Sequence, residues 1–299
     1  MLQVAIVGFG NIGKAAYEAV LNAPDMELKC IIEPSEKIDI PENLKNIREF
    51  DYKNIHKHGG INVAILGTPS RLCPDIAENL LNMGICTVDS YDMHENIWEL
   101  KCRLDEAAKK SGKSSIISAG WDPGSDSVIR ALMDAMAPQG LSYTNFGPGM
   151  SMGHTVAAKA IEGVENALSV TIPAGAGVHK RMVYVQLKSG ASIEKVTQLI
   201  KADPYFSHDE THVKQVDDVA AITDMGHGVY INRKGVAGNT HNQLLEYSHK
   251  INGPALTGQM LVNAARAVVK QQPGCYTLIE IPVIDMLPGN KEDLIKRLV

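Results

Sequence analysis

The stretch Met1-Leu-Gln-Val-Ala-Ile-Val-Gly-Phe-Gly-Asn-Ile-Gly-Lys14 decides the fold class. Val4 to Val7 is an unbroken run of strand-forming residues, the pattern of a parallel strand covered on both faces. It runs into Gly8-Phe-Gly10-Asn-Ile-Gly13, and Ala15, Ala16, Ala19 and Val20 follow at helical spacing. A dinucleotide loop needs strand, glycine turn and helix in that order. The first glycine permits the tight turn, the second lets the backbone approach a pyrophosphate, and the third lets the helix sit close to the strand. The pyrophosphate would rest on the free N–H groups and the positive dipole end of the helix. Gly8, Gly10, Asn11, Ile12 and Gly13 are therefore candidate cofactor-binding residues. The spacing by itself also suits a glycine-rich turn that binds nothing; the strand and helix around it make it specific.

Outward from this loop, a second strand over 28–32 ends at Glu33, about twenty residues on, where an acid can accept hydrogen bonds from ribose hydroxyls. A 2′-phosphate would call for arginine, so Glu33 favours NAD over NADP; Lys37 nearby weakens that preference, and a solvated strand-end acid is the ordinary alternative. Residues 35–60 are polar, with room for one short strand and a helix. A buried strand over 61–66 closes on Gly67-Thr68-Pro69-Ser70, and Gly67, Thr68 and Pro69 are expected along the far side of the cofactor. A helix over 74–83, a strand over 85–90, a helix over 95–110 and a strand over 114–119 complete the alternation. Such alternation predicts an α/β fold with a doubly wound parallel Rossmann sheet. Ligands lie beyond the carboxyl ends of its strands, and Asp92 and Asp122 are both placed there.

After residue 125 the pattern changes. Helices are expected over 125–137, 155–162 and 193–200, a glycine-rich loop over 143–154, and strands over 167–173, 181–188, 213–220 and 229–233. A long helix over 254–271, a β-run over 275–283 and a polar helix over 291–298 close the chain. At 299 residues two domains are expected. One is the dinucleotide-binding domain 1–121, with the C-terminal segment 253–299 packing back on it. The other is a mixed α+β substrate-binding and dimerisation domain, 122–252.

A net charge of −5 with interspersed acids and bases argues against nucleic acid or an anionic membrane as partner. No apolar run reaches bilayer length, and the chain starts on a strand rather than a signal peptide. The five cysteines are odd in number and widely spaced, which reads as reduced thiols of a cytoplasmic protein. No Cys-x-x-Cys pair is present, and the pair His208/His212 lacks a third ligand, so no metal is expected and 208–212 reads as a charged loop or helix start.

The polar set of the second half is Thr171, His179, Lys180, Arg181, His227 and Asn252. A guanidinium beside hydroxyl and imidazole groups suits a carboxylate, which it can bind bidentately. Two aspartates could hold an ammonium, and together these groups suit an amino-acid substrate. Each of them alone also fits an ordinary surface or turn position.

The segments Val7-Gly-Phe-Gly-Asn-Ile-Gly13, Thr87-Val-Asp-Ser-Tyr-Asp92, Ser118-Ala-Gly-Trp-Asp-Pro-Gly124, Thr144-Asn-Phe-Gly-Pro-Gly-Met-Ser-Met-Gly-His154, Ile172-Pro-Ala-Gly-Ala-Gly-Val-His-Lys-Arg181, Thr240-His-Asn-Gln243 and Pro273-Gly-Cys-Tyr-Thr-Leu-Ile-Glu-Ile-Pro282 carry a resemblance that runs along nearly the whole chain. It resembles the meso-diaminopimelate dehydrogenase family, in its shorter form. The resemblance implies reversible oxidative deamination of the D-centre of meso-2,6-diaminopimelate to L-2-amino-6-oxopimelate and ammonia, normally with NADP, by a homodimer. It also implies that Asp92 and Asp122 contact the reacting amino end, with Trp121 and Phe146 lining the cleft. Met152 and Gly153 would belong to the substrate loop, Thr171, Arg181 and His227 would hold the distal carboxylate, and Asn252 would complete that end. One departure stands out: family members commonly carry paired arginines after the second strand, where this chain has Glu33-Pro34-Ser35. A carboxylate near the amine can accept its proton and later activate water; Asp122 is the expected proton acceptor and Asp92 its partner, though both would also serve as purely binding groups. Two alternatives are a Rossmann oxidoreductase for another amino acid or semialdehyde, and a non-catalytic NAD(P)-sensing regulator.

Overall fold

The computed structural model describes residues 1–223 and 226–299. The chain divides into two units, Met1–Ala131 with Pro254–Val299, and Leu132–Gly253. The division falls inside a helix, Ser125–Met136, rather than at residue 121, because Val128 near the start of that helix still packs against the core of the first unit.

In the first unit, β1 (Leu2–Val7), β2 (Met26–Ile32), β3 (Arg48–Glu49), β4 (Val63–Leu66), β5 (Cys86–Asp89) and β6 (Ser114–Ile116) join a late strand, Gly274–Tyr276. The order is late strand, β6, β5, β4, β1, β2, β3, and every pairing is parallel. The period of two along β1 feeds two cores. Val4 and Ile6 enter one with Ala16 and Val20 of α1 (Asn11–Leu21) and Leu261 and Ala265 of the helix Gly253–Val268. Ala5 and Val7 enter the other with Leu80 and Leu81 of α2 (Cys73–Asn82) and Leu100 and Leu104 of α3 (Ile97–Ser111). This is the doubly wound Rossmann sheet that the alternation predicts.

The C-terminal segment returns to this unit. A Cβ on Gly258 would lie 2.6 Å from the Ala15 carbonyl carbon and the Ala16 nitrogen, so this helix meets α1 backbone to backbone. Buried Arg266 secures it with a bidentate pair to Asp25 at 2.5 and 2.8 Å. The expected β-run over 275–283 is cut short after Tyr276. The Glu280 carboxylate accepts the Thr277 N–H at 2.8 Å and turns the chain into two short helical segments. Residues 35–60 form two 3₁₀ segments, Glu42–Ile47 and Tyr52–His58, around β3.

In the second unit, β7 (Gln139–Met150), β8 (Val164–Gly175), β9 (Val178–Leu187), β10 (Glu210–Gln215), β11 (His227–Ala237) and β12 (Thr240–Ile251) form a sheet in the order β10-β9-β8-β7-β11-β12. Among these pairs, β9 and β10 run parallel and the others antiparallel. Ala158 of the helix Met152–Lys159 and Val196 and Ile200 of the helix Ile193–Ala202 pack on Val183, Val185 and Phe206. The glycine-rich stretch 143–154 is therefore not a loop but the end of β7 and the start of a helix. Its glycines answer a steric demand: a Cβ on Gly147 would fall 2.2 Å from the Thr171 carbonyl oxygen and one on Gly149 2.3 Å from that of Gly226. The strand expected over 213–220 is β10, three residues earlier at its start. The long hairpin partner β12 is not among the strands the sequence predicts.

Replacing Gly258 by Val puts a branched side chain into the Ala15–Ala16 backbone and is expected to destabilise the protein by about 1–3 kcal/mol. Urea unfolding should show the loss as a lower midpoint at unchanged slope.

Candidate active site

The glycine loop lies where the sheet order reverses, between β1 and β4. Gly8 has φ +86, and its Cβ would fall 2.9 Å from the Gly67 carbonyl oxygen; that of Gly13 would fall 1.9 Å from the Gly8 carbonyl oxygen. Gly10, by contrast, has no heavy atom within 4 Å of its Cβ position, which leaves room for an anion to approach the backbone. Helix α1 has no side-chain cap and no acid in its first turn, so its leading N–H groups are available, with Asn11 exposed at its start. Beside the loop, the Thr68 hydroxyl oxygen is buried with no hydrogen-bond partner, while Pro69 is exposed. These features fit a dinucleotide.

Glu33 is buried at 5 % exposure, which removes the solvated-acid alternative. Its carboxylate accepts the N–H groups of Phe9 and Ser35, each at 2.8 Å, and so ties the glycine loop to the end of β2. Arg48 on β3 donates to the carbonyls of Glu33 and Ser35 and lies 4.3 Å over the Phe50 ring.

The two aspartates of this unit differ in setting. Asp92 is exposed, and its Oδ1 accepts the Ser70 hydroxyl at 2.6 Å. The Asp122 carboxylate is buried, and Arg130 grips both of its oxygens at 2.9 and 2.6 Å. Trp121, half-buried, precedes it, and its carbonyl accepts the Asp126 N–H at 2.9 Å. Neither Ser70 nor Arg130 stands out in the sequence as a partner of these acids. Arg130 sits eight residues beyond Asp122, and only the turn into the helix brings them together.

In the second unit Arg181 of β9 stands opposite Thr171 of β8 and Thr211 of β10. Its Nη1 donates to the Thr171 hydroxyl and its Nε to Asp209 at 2.6 Å. Thr171 is fully buried and acts as a post for the guanidinium. Asp209 is the counter-charge of the candidate site residue Arg181, and no motif or spacing marks it. The segment 208–212, expected as a loop or helix start, is a turn running into β10 and carries the counter-charge of Arg181. The Phe146 ring lies 5.3 Å from His179 and 6.3 Å from His227. His179 Nε2 accepts the Phe146 N–H at 2.8 Å, and His227 Nδ1 donates to the Met150 carbonyl at 2.9 Å, since a carbonyl only accepts. Burial pushes both imidazoles below their ordinary pKa, and the Arg181 charge adds to the effect. Thr171, Arg181, His227 and Phe146 thus form one cluster in which the guanidinium is the cation and the imidazoles stay neutral. Met152 and Gly153 open the helix after β7, half-buried and exposed respectively. Asn252 is exposed just after Ile251, the β12 partner of His227.

His154 belongs to the same surroundings, edge-on to Tyr205 and Phe206 with its Nδ1 2.9 Å from the Ser151 hydroxyl. Burial, then the Arg181 charge, lowers its pKa to about 4. A folded value below the unfolded one means that the neutral ring stabilises the fold. That stability is complete above the unfolded value of about 6.5 and drains away as pH falls from there towards 4. Urea midpoints measured down this range should fall less steeply for His154→Gln than for the native chain.

A dinucleotide loop at the switch point of a parallel sheet, strand-end carboxylates and a separate sheet unit holding a compensated arginine define a two-unit nicotinamide-dependent oxidoreductase. Residues 2–114 match the model of the oxidoreductase family with an NAD-binding Rossmann fold, and residues 120–180 that of the diaminopimelic acid dehydrogenase C-terminal domain. The meso-diaminopimelate D-dehydrogenase of Bacteroides fragilis is 54% identical over 298 residues, covering 100% of this chain and 99% of the relative. That of Corynebacterium glutamicum is 30% identical, covering 99% and 98%. The solved structure of the Corynebacterium glutamicum DAP dehydrogenase in complex with DAP superposes with a TM-score of 0.89 at 30% identity, covering 100% of this chain and 99% of that one. An engineered D-amino acid dehydrogenase bound to NADP+ does so with a TM-score of 0.86 at 29% identity, over 100% and 99%. The chain belongs to the meso-diaminopimelate dehydrogenase family.

Proposed function

We propose that the protein oxidises the D-centre of meso-2,6-diaminopimelate, releasing ammonia and L-2-amino-6-oxopimelate, with the reverse reaction available. The observation that carries this reading is the Arg181 cluster: a mostly buried guanidinium, oriented by Thr171 and Asp209 and flanked by neutral imidazoles, is built for a carboxylate. The L-centre carboxylate is assigned there, to Thr171, Arg181 and His227, with Phe146 beside it. Met152, Gly153 and Asn252 complete the distal end, and Trp121 lines the reacting end.

Bound NAD(P)+ supplies the hydride acceptor, held by Gly8, Gly10, Asn11, Ile12, Gly13, Gly67, Thr68 and Pro69 with Glu33 at the ribose. Asp92 and Asp122 hold the substrate ammonium. Oxidation needs the amine neutral, so one carboxylate takes its proton and later returns one as water adds and ammonia leaves. The geometry favours Asp92, rather than the expected Asp122, as that proton acceptor. Protonating Asp122 breaks a charge-assisted bond to Arg130, whereas Asp92 is exposed beside a single hydroxyl contact to Ser70. Asp122 is then the fixed counter-charge. The family resemblance supports a homodimer, and the outer strand β12 with exposed Leu244 offers an edge for it. Five free cysteines, four of them buried, support a cytoplasmic setting.

An assay of cofactor reduction tests this directly: the meso isomer should be consumed and the L,L isomer should not. Arg181→Met should lower kcat/KM for meso-diaminopimelate by about 2–5 kcal/mol of transition-state stabilisation while sparing simple D-amino acids. Equal rates on both isomers would remove the distal clamp.

Between the two cofactors, Glu33 favours NAD. Coulomb repulsion from a 2′-phosphate about 4 Å away costs about 1–4 kcal/mol per unit charge. Swinging Glu33 aside forfeits two amide hydrogen bonds as well, one of them buried. Lys37 and Arg71 remain as competing attractions. Glu33→Arg should therefore move catalytic efficiency towards NADP; a native enzyme already preferring NADP by about a hundredfold would overturn the argument.

A further inference from the structure

β5 and β6 pair only through Thr87 with Ser115 and Val88 with Ile116. Beyond that point the ladder between them stops and Asp89, 1 % exposed, takes its place. Its Oδ1 accepts the Tyr91 N–H at 2.9 Å, in the turn after its own strand, and the Ser118 N–H at 3.0 Å, in the turn after β6. Its main-chain carbonyl accepts the Ala119 N–H at 2.7 Å. Asp92 follows one of these turns and Asp122 the other. Ser118 is held at φ +53, a left-handed conformation that a side chain other than glycine adopts only where the surroundings enforce it.

We propose that Asp89 is a positioning residue for the reaction: one buried carboxylate oxygen clamps the two strand-end turns together and so fixes where Asp92 and Asp122 stand. The proposal rests on the reading of those two aspartates given above. A carboxylate is an expensive choice for this place. Burial raises its pKa to about 6 against the amides of Ser118 and Tyr91 and the Cys73 thiol, which favour its charged form. Its Oδ2 takes neither amide, so both N–H groups converge on the one oxygen. The part that matters is therefore the position of a single acceptor that takes two amides from different loops; the main-chain bond from Ala119 to the Asp89 carbonyl also crosses beyond Val88 and Ile116, but it does not reach the Tyr91 turn. The far side of the Asp92 turn is pinned separately by Ser70, so Asp89 controls the end nearest the sheet.

Three variants separate this role from mere support of the fold. Asp89→Asn keeps an oxygen acceptor at the same place, Asp89→Ala removes it, and Asp89→Glu keeps the charge but moves the acceptor by one methylene. We expect Asn to retain the native kcat. Ala and Glu should lose kcat by on the order of 100-fold, the scale for a displacement of about 1 Å at the reacting groups. Cofactor affinity, measured by the fluorescence of bound NADH and NADPH, should stay native in all three, since neither turn belongs to the glycine loop. If Ala does not fold, the order of Asn above Glu in kcat decides the matter. Overturning results are a Glu variant as active as Asn, an Ala variant with native kcat, or a loss of cofactor affinity that parallels the loss of kcat. Asp92→Asn and Asp122→Asn run alongside: native kcat in both would sink the site assignment, whereas native kcat in Asp89→Ala alone would sink only the clamp.

Discussion

A backbone contact among Gly8, Gly13 and Gly67 is the constraint on which the first unit depends. A Cβ on any of the three would come within 3 Å of main-chain atoms of another: 2.9 Å for Gly8, 1.9 Å for Gly13 and 2.8 Å for Gly67. The end of β1, the start of α1 and the end of β4 are therefore pressed together with nothing between them. That closeness brings the free N–H groups of α1 to the carboxyl edge of the sheet, where the strand order reverses. Gly258 extends the same demand to the returning C-terminal helix, which lies on Ala15 and Ala16 at the same distance scale. The cofactor helix is fixed from two sides by small residues, and Glu33 closes a third by taking the Phe9 N–H.

Electrostatics govern the second unit in a different way. Arg181 is 12 % exposed in its side chain, and a charge so far from water has to be met. Asp209 meets it, Thr171 orients it, and the neighbouring imidazoles of His154, His179 and His227 are all driven towards the neutral form by burial and by the same guanidinium. Within this cluster positive charge is thus concentrated on one planar guanidinium instead of being spread over it and three imidazoles. In the first unit, Arg130 plays the converse part by locking Asp122, and leaves Asp92 as the exposed acid.

Much of this is legible in the residues. The apolar run 4–7 with its glycines, the strand runs after it and the acids at strand ends carry strong local signals, because a buried parallel strand and a dinucleotide turn each require particular residue types in fixed order. The departures from expectation share a cause. Gly147 and Gly149 suggest a loop, yet they are strand residues whose missing side chains admit the Thr171 and Gly226 carbonyls. β12 alternates half-buried and exposed positions with many polar residues, so no apolar period marks it. Asp209 looks like part of a charged loop, and Asp89 like one more residue of a buried strand, because a hydrogen bond over 28 or 29 positions leaves no trace in spacing.

By itself the sequence determined the Rossmann architecture, the glycine loop after its first strand and the acids at the strand ends, all of which follow from short-range periodicity and stereochemistry. The tertiary structure alone decided which partner each charge receives: Arg130 for Asp122, Ser70 for Asp92, Asp209 for Arg181, two distant amides for Asp89. Those pairings depend on strand register and turn direction, and a charge buried by the fold takes whatever counter-group the register brings within hydrogen-bond reach.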